Sequence, residues 1–464
     1  MNGWALLDAT EAPPANDIRA AGAGPSVPIR LSIKHQMEKT FQKITKAFST
    51  TVNKGPLKEF EWRNHLDHEG RVVRTEELWA RIFQGGIDPS LRREVWKHLL
   101  NVFPPDLTED ERERHLMMKV NVYWHLTMAW KAQDPNEIET ITHMVMKDVL
   151  RTDRTYPYFA VPDEHPHMDS LFNVLTTYAL ANPDVSYAQG MSDLAAPLLV
   201  VFEDEAVTYT CFTGLMNRMK SSFLLDGKAM SKKFEHLAFL VQRTDPEFYK
   251  FLVMIGADDM FFCYRWLLLD LKREFPFDDA LHLFEVTWSS LVPSASTQLP
   301  LSGTTFNSVN KTSRGSYNNL CSLNGSLTNL MSDAADCDSD DDEEEILLNC
   351  STSETKLIQP PEPGDLADGN PFSLFMCLAI LLLHKEHCIQ QQMDYNALAM
   401  YFDKMVRKHD LNKTLAKARS LYGDYLSFFN VEMGDDIAAK EDTTATCFND
   451  LVIEAPPQRH FVEC

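Results

Sequence analysis

An arginine and a glutamine lie in two segments from which each side chain can project into solvent. Arg151 follows Asp148 by three residues near the end of a predicted helix, so the carboxylate can steady the guanidinium on one helix face. Gln189 lies between Tyr187 and Gly190, and the glycine permits a sharp bend that leaves the amide exposed. A guanidinium is a permanently charged fork of donors, and an amide both accepts and donates hydrogen bonds. The pair therefore suits the stabilisation of a phosphate and the orientation of a water molecule.

A purely structural interpretation also fits either residue taken alone. Arg151 can cap its helix, and Gln189 can satisfy a buried loop carbonyl. Arg154 lies one turn further along and is a second candidate for a projecting arginine. The chain lacks His-Glu-x-x-His, Gly-x-x-x-x-Gly-Lys and Gly-x-Ser-x-Gly patterns. The sequence thus predicts no metal site, no nucleotide site of its own and no acyl chemistry.

Residues 148–151 are called the arginine segment, and residues 187–190 the glutamine segment. The arginine segment must be positioned by the helix that leads into it. Apolar residues recur at intervals of three and four, at Ile138, Ile141, Val145 and Val149. This spacing predicts an amphipathic helix, with Asp134 or Asn136 as its N-cap. Turn-forming residues and Pro157 indicate that the helix ends close to Arg151.

Both segments resemble fingerprints of the TBC domain, the catalytic module of Rab GTPase-activating proteins. The family's arginine finger reads Ile-x-x-Asp-x-x-Arg and its glutamine finger reads Tyr-x-Gln-Gly; here Val145 replaces the usual Ile, and Ala188 fills a variable position. A third family feature, Arg-x-x-x-Trp, is present as Arg92 and Trp96. The three patterns occur in the family's order, and the resemblance covers roughly residues 59–426 with one interruption.

The resemblance implies a GTPase-activating protein for a Rab-family small GTPase. Arg151 would stabilise charge on the transferring phosphoryl group, and Gln189 would orient the attacking water in place of the GTPase's own glutamine. Asp148, Tyr187 and Gly190 would support these two fingers. GTP and magnesium would belong to the partner GTPase, so we expect no cofactor and no independent catalytic activity in this chain.

The other motif residues receive supporting roles from the same resemblance. Arg92 and Trp96 are expected to hold the fold, with Arg92 also supporting the catalytic surface, and Arg154 is expected to add positive potential towards the phosphates. An alternative from another functional class is a catalytically silent adaptor, in which the domain only holds a Rab while other segments recruit partners.

Composition narrows the classes of partner and compartment. The formal net charge is −23, which argues against nucleic-acid binding because neutralising phosphates requires a basic surface. Nine cysteines without a Cys-x-x-Cys pair predict reduced cytoplasmic thiols. No signal peptide is evident, and the most apolar run, residues 375–383, is far shorter than the ~20 residues that span a bilayer. We expect a cytoplasmic protein that reaches vesicle or autophagosome membranes peripherally or through the Rab.

Helical periodicity dominates the chain, and strand-like alternation is scarce, which predicts an all-α protein. The predicted parts are a flexible N-terminal segment (1–56), the first part of the TBC domain (57–292), a disordered acidic insertion (293–369), the last helices of the domain (370–428) and a flexible tail (429–464). The insertion is rich in Ser, Thr, Asn, Gly and Pro and then acidic, so it cannot bury a core. Its composition leaves open whether it inhibits the site.

Two features of the N-terminal segment each have two interpretations. Trp4 and Leu7, with acidic residues downstream, resemble the motif by which peptides add a strand to Atg8-type ubiquitin-like proteins, and the alternative is an incidental match. The second feature is a basic amphipathic helix with apolar positions at Ile33, Met37, Phe41, Ile44 and Phe48. Such a helix lies on an anionic membrane or packs against the following domain.

Overall fold

A computed structural model describes residues 54–104, 106–290 and 360–435 of the chain, and within these residues the only regular elements are helices. The α-helices before the arginine segment are α1 (Glu59–Asn64), α2 (Thr75–Gly85), α3 (Arg92–Leu99), α4 (Glu109–Lys131) and α5 (Pro135–Val149). Isolated bridges join Leu57 to Ile87 and Leu66 to Val72, and no strand forms in the described ranges. The prediction of an all-α fold is confirmed.

The remaining helices follow the arginine segment. They are α6 (Pro166–Ala181), α7 (Met191–Phe202), α8 (Glu205–Met219), α9 (Lys228–Thr244), α10 (Pro246–Met254), α11 (Tyr264–Leu268), α12 (Phe277–Ser289), α13 (Pro371–Gln390), α14 (Tyr395–Lys404) and α15 (Leu411–Asp435). Short 3₁₀ turns occur at Pro89–Leu91, Lys220–Phe223, Phe261–Cys263 and Leu366–Gly369.

Helix α5 forms as its sequence predicts. Asp134 is the N-cap, since its carboxylate accepts a hydrogen bond from the backbone N–H of Asn136 at 3.0 Å, and proline occupies the first helical position. The predicted apolar stripe is buried throughout, at Ile138, Ile141, Val145 and Val149. The helix ends at Val149, and Leu150 is its C-cap, so Arg151 lies just beyond the regular helix.

Helix α7 lies at the centre of the core. Nearly all of its side chains are buried, and it packs on α3, α5, α6 and α8. Because α7 begins directly after Gly190, the glutamine segment is fixed at the N-terminal end of a fully enclosed helix. The glutamine segment is therefore attached directly to the core, and the arginine segment lies at the end of α5, which packs on α7.

Helix α13 is the one helix in the described ranges that is long and apolar enough to cross a membrane. Its residues from Pro371 to Leu381 are buried inside the protein, and it packs against α9, α10 and α15. This burial accounts for its apolar composition, and the sequence-based prediction of a core helix is confirmed.

The structure extends beyond two of the predicted boundaries. The insertion was predicted to reach residue 369, but Leu366 and Ala367 are buried in a 3₁₀ turn, and the backbone N–H of Ala367 donates to His236 Nδ1 at 3.1 Å. The polar composition of the surrounding residues gives no sign that Leu366 and Ala367 pack against the core. Likewise, α15 continues to Asp435 although the tail was predicted to begin at 429. The N-terminal helix, Trp4, Leu7, residues 291–359 and residues 436–464 lie outside the described ranges.

Candidate functional site

One buried carboxylate, that of Asp148, connects the arginine segment to the glutamine segment. Its Oδ1 accepts hydrogen bonds from the guanidinium of Arg151, with Nε at 2.9 Å. Its Oδ2 accepts from the hydroxyl of Tyr187 at 2.7 Å and from the backbone N–H of Gly190 at 3.1 Å. Tyr187, two residues before Gln189, and Gly190, directly after it, are thus bonded to the same side chain that holds Arg151.

Arg151 is held at its base and open at its tip. The last turn before it tightens, because the N–H groups of Arg151 and Thr152 each donate to the carbonyl three residues earlier. Its side chain remains 55% exposed, whereas that of Asp148 is only 6% exposed. An anchored but accessible guanidinium retains donors that can face an incoming anion.

Gln189 is exposed, whereas Tyr187 and Gly190 on either side of it are buried. Gly190 has φ of +98°, a conformation that side-chain-bearing residues rarely adopt, and a Cβ there would lie 2.9 Å from Leu269 Cδ2. Ser186 also has a positive φ, of 55°. Among the described residues, no hydrogen bond involves the Gln189 side chain, so its amide faces solvent with its donors and acceptor unused.

The Tyr187 hydroxyl is a durable donor. Burial raises the pKa of Tyr187 well above its usual value, and the adjacent Asp148 charge raises it further. The phenol therefore stays protonated at any physiological pH and keeps donating to the carboxylate.

A second charged cluster lies behind the first. Asp193, on the first turn of α7, accepts a bidentate pair of hydrogen bonds from Arg273, with Nε at 3.0 Å and Nη2 at 2.6 Å. Lys272 Nζ lies 3.3 Å from Asp193 Oδ1 and also donates to Asp153. Asp153 accepts in addition from Arg407 Nη2 at 2.7 Å. Burial disfavours the Asp193 charge, but Lys272 and Arg273 outweigh that effect and its pKa is lowered.

Arg154, the second candidate for a projecting arginine, is turned back onto its own loop. Its Nη2 donates to the carbonyl of Val161 at 2.6 Å and to Asp163 at 3.0 Å, and its Nη1 lies 3.3 Å from the sulfur of Met168. These contacts leave its guanidinium less available to an external phosphate than that of Arg151.

Arg92 and Trp96 converge on Glu285, a fully buried carboxylate of α12. Arg92 Nε donates to Glu285 Oε1 at 2.6 Å, and Trp96 Nε1 approaches the same oxygen at 3.3 Å. The second oxygen, Oε2, accepts from the backbone N–H of Ile87 at 2.9 Å. This geometry joins α3 to α12 and supports the expected structural role of the pair.

Across the described ranges, no group of three His, Cys, Asp or Glu side chains is arranged to hold a metal ion. The free cysteines described there are buried, and burial raises the pKa of each thiol, with that of Cys388 at about 11. None of these described cysteines therefore offers a reactive thiolate.

Comparison with known proteins shows the family of this chain. Residues 89–296 match the Rab-GTPase-TBC domain. TBC1 domain family member 25 from Homo sapiens is 36% identical over 530 aligned positions, which cover 91% of this chain and 77% of that protein. The chain belongs to the TBC domain family.

More distant relatives share the domain. The GTPase-activating protein GYP7 of Debaryomyces hansenii is 30% identical over 282 positions, 52% of this chain and 37% of that protein. The crystal structure of the Ypt/Rab-GAP domain of Gyp1p superposes with a TM-score of 0.55 at 17% identity, covering 84% of this chain and 99% of that chain. At that identity the likeness shows a shared TBC fold.

Sequence reasoning found the motif residues of this TBC domain but missed their charged partners. The missed residues are Asp153, Asp193, Lys272, Arg273, Glu285 and Arg407. For one of them a signal existed: Asp193 is the single acid within an otherwise largely apolar helical segment, which is typical of a buried charge with a partner. Arg407 lies in a polar stretch and carries no such signal.

Proposed function

We propose that this chain is a GTPase-activating protein for a Rab-family GTPase and that it supplies both an arginine finger and a glutamine finger. The observation that carries the proposal is the shared anchor on Asp148, which bonds Arg151 through one oxygen and, through the other, Tyr187 and Gly190 on either side of Gln189. A structural arginine or glutamine has no need of such an arrangement, in which both tips remain exposed while their bases are fixed.

The two side chains suit the two requirements of GTP hydrolysis. Negative charge grows on the transferring phosphoryl group and on its leaving oxygen, and an arginine inserted from a second protein neutralises it. The attacking water must also be oriented, and the Gln189 amide can accept from water through its carbonyl and donate to phosphate through its NH₂ group. Fixed placement matters here because a displacement of about 1 Å can cost ~10²-fold in rate.

Family membership supports the same activity. GYP7 is named a GTPase-activating protein, and the Gyp1p domain is named a Ypt/Rab-GAP domain. The partner we propose is accordingly a GTP-loaded Rab that carries its own GTP and magnesium. By this proposal the chain works in the cytoplasm and meets vesicle membranes through the Rab, and an Atg8-type protein that binds Trp4 and Leu7 would direct it to autophagosomes.

An adaptor that holds a Rab without accelerating hydrolysis is the competing function. The exposed and unpartnered amide of Gln189 favours the activator, because mere binding does not require an amide in reach of a phosphate. A screen of GTP hydrolysis across a panel of Rabs, with this protein in catalytic amounts, separates the two. Multiple turnovers with at least one Rab support the activator, whereas tight binding without turnover supports the adaptor.

The glutamine finger is tested through the partner. If Gln189 replaces the Rab's own switch glutamine, a Rab with that residue changed to alanine remains a substrate for the wild-type protein. The same Rab should not be hydrolysed with Gln189→Ala protein, because the transition state then lacks any positioned amide. Single-turnover phosphate release for the four combinations gives the answer. Wild-type activity of Gln189→Ala protein on the unmodified Rab would contradict the two-finger mechanism.

A further inference from the structure

The loop that follows Arg151 is bonded to a residue more than 250 positions away in the chain. Arg407, between α14 and α15, donates from Nη2 to Asp153 Oδ1 at 2.7 Å and from Nη1 to the hydroxyl of Thr155. The same guanidinium thus grips two residues of the loop that begins immediately after Arg151. Both of its contacts are to side chains of that loop.

Arg407 is itself fixed by the backbone. Its N–H donates to the carbonyl of Arg273 at 3.0 Å, and its φ of +61° places it in the left-handed region. Arg273 is in turn bound to Asp193 on the first turn of α7. Arg407 is therefore linked, through Arg273 and Asp193, to α7, the helix that starts at the glutamine segment.

The carboxylate that receives Arg407 depends on it. The Asp153 side chain is only 1% exposed, and its φ of +47° places it in the left-handed region. Its other oxygen accepts from Lys272, which is shared with Asp193. Within the described part of the chain, the hydrogen-bond donor to Asp153 Oδ1 is Arg407. Its removal leaves half of a buried carboxylate without a hydrogen bond.

We propose that Arg407 is a positioning residue for the arginine finger: by clamping Asp153 and Thr155 it fixes the loop that follows Arg151. This inference rests on the proposed function, since it concerns the placement of that finger. Residues 151–156 are called the finger loop. Because Arg407 follows residues 291–359, this loop reaches its final geometry only when the chain on both sides of that interval has packed together. Arg407 does not touch the reacting groups, and it acts through the backbone two residues beyond Arg151.

Steady-state kinetics of the full-length protein on a GTP-loaded Rab test this role. Arg407→Ala is expected to lower kcat about 10- to 100-fold while KM for the Rab changes less than about threefold, because the variant displaces the finger, which acts in the transition state. Arg407→Lys should recover part of kcat, since one ammonium can still reach Asp153 or Thr155 but not both. Unchanged kcat in Arg407→Ala would overturn the proposal.

A matched control removes a comparable ion pair elsewhere. Arg81→Ala breaks the bidentate pair between Arg81 and Glu61, with distances of 2.7 and 2.8 Å, which joins α2 to α1 away from the finger loop. It should lower stability as Arg407→Ala does but leave kcat unchanged. If both variants lose kcat in proportion to their loss of stability, Arg407 is merely structural and the proposal is overturned.

Hydrogen exchange makes the inference independent of the proposed function. In Arg407→Ala, amides of residues 151–156 should exchange faster, and in Arg81→Ala they should exchange as in the wild type. A wild-type protein that stimulates no Rab would refute the proposed function, while the exchange data would still report on the clamp. Unchanged exchange at 151–156 in Arg407→Ala would refute the clamp alone.

Discussion

Arg151 of this TBC domain is accessible to solvent, but its conformation is restrained. Asp148 restrains its Nε, and the carboxylate is kept in place by Tyr187 and Gly190 on its other oxygen. Ordering a long side chain in advance reduces the entropy that must be lost when the transition state forms. The catalytic value of Arg151 therefore depends on a residue that never meets the substrate.

Replacing Arg151 tests the finger directly. Arg151→Ala should lower the stimulated hydrolysis rate by about 10³- to 10⁵-fold. Arg151→Lys should fail as well, since a point charge cannot bridge two oxygens as the guanidinium fork does. Arg151 is half exposed, but its loss leaves Oδ1 of the buried Asp148 without a hydrogen bond, so the free energy of unfolding should fall by about 1–3 kcal/mol while the protein still folds. Single-turnover phosphate release and urea denaturation measure the two effects.

Arg154→Ala is the matched control for that experiment. Arg154 is bonded to Val161, Asp163 and Met168, so its loss should reduce stability and leave the rate nearly unchanged. Near-normal activity in Arg151→Ala, combined with a large loss in Arg154→Ala, would transfer the finger role to Arg154.

Replacing Asp148 should disturb both segments together. In Asp148→Asn the new NH₂ group must face either Arg151 or the donors of Tyr187 and Gly190, so one set of bonds is lost in either orientation. We expect a loss of about 1–3 kcal/mol in the free energy of unfolding. We also expect about a 10²-fold loss of rate from displaced fingers. Tyr187→Phe removes a single bond and should cost less in both assays; a wild-type rate in Asp148→Asn would show that the shared anchor is irrelevant to catalysis.

At the scale of elements, the glutamine segment depends on how α7 begins. Gly190 is the N-cap of α7, with φ of +98°, and its N–H is one of the donors to Asp148. Gly190→Ala should therefore destabilise the protein by more than about 1 kcal/mol and also shift Gln189 out of place. The midpoint temperature of thermal unfolding and the hydrolysis rate should both fall.

Gly227 provides the matched control, because it is the N-cap of α9 with φ of +61° and has nothing within 4 Å of an added Cβ. Gly227→Ala should show a comparable backbone penalty without any loss of rate. Equal rate losses in the two glycine variants would mean that activity follows stability rather than the position of Gln189.

The sequence was informative about elements because their signals are local. The apolar stripe of α5, its Asp134 cap and the three-residue spacing of Asp148 and Arg151 all lie within one helix, where periodicity determines which side chains share a face. The partners of Arg92 and Arg407 could not be predicted in this way. Glu285 and Asp153 are brought to them by tertiary packing across long stretches of chain, and no local pattern specifies such pairings.

At the scale of the whole molecule, the site gathers residues from both sides of residues 291–359. Four cations, Arg151, Lys272, Arg273 and Arg407, face three carboxylates, Asp148, Asp153 and Asp193, in this pair of clusters. One positive charge is in excess within a chain whose formal net charge is −23. Local potential rather than net charge governs the approach of an anionic nucleotide, so the acidity of the chain is compatible with the proposed partner.

Two deletions test how the interrupted part of the chain relates to the fold. Replacing residues 293–359 with a Gly/Ser linker should leave the free energy of unfolding and the hydrolysis rate close to wild type, because that segment is polar and acidic and its loss removes none of the described core. Extending the deletion to residue 363 should be worse, since the carbonyl of Pro361 accepts a hydrogen bond from the buried Tyr425 hydroxyl at 2.6 Å.

The same two deletions also test whether residues 293–359 inhibit the site. A rate above wild type in the 293–359 deletion, with unchanged stability, would identify the segment as an inhibitor of the finger surface. An insoluble protein, or one that melts far below wild type, would instead make the segment structural and contradict the prediction. The deletion to residue 363 separates linker strain from lost contacts, because both proteins receive the same linker and differ only in residues 360–363. If they melt together, the contact between Tyr425 and Pro361 contributes little to the packing of α15.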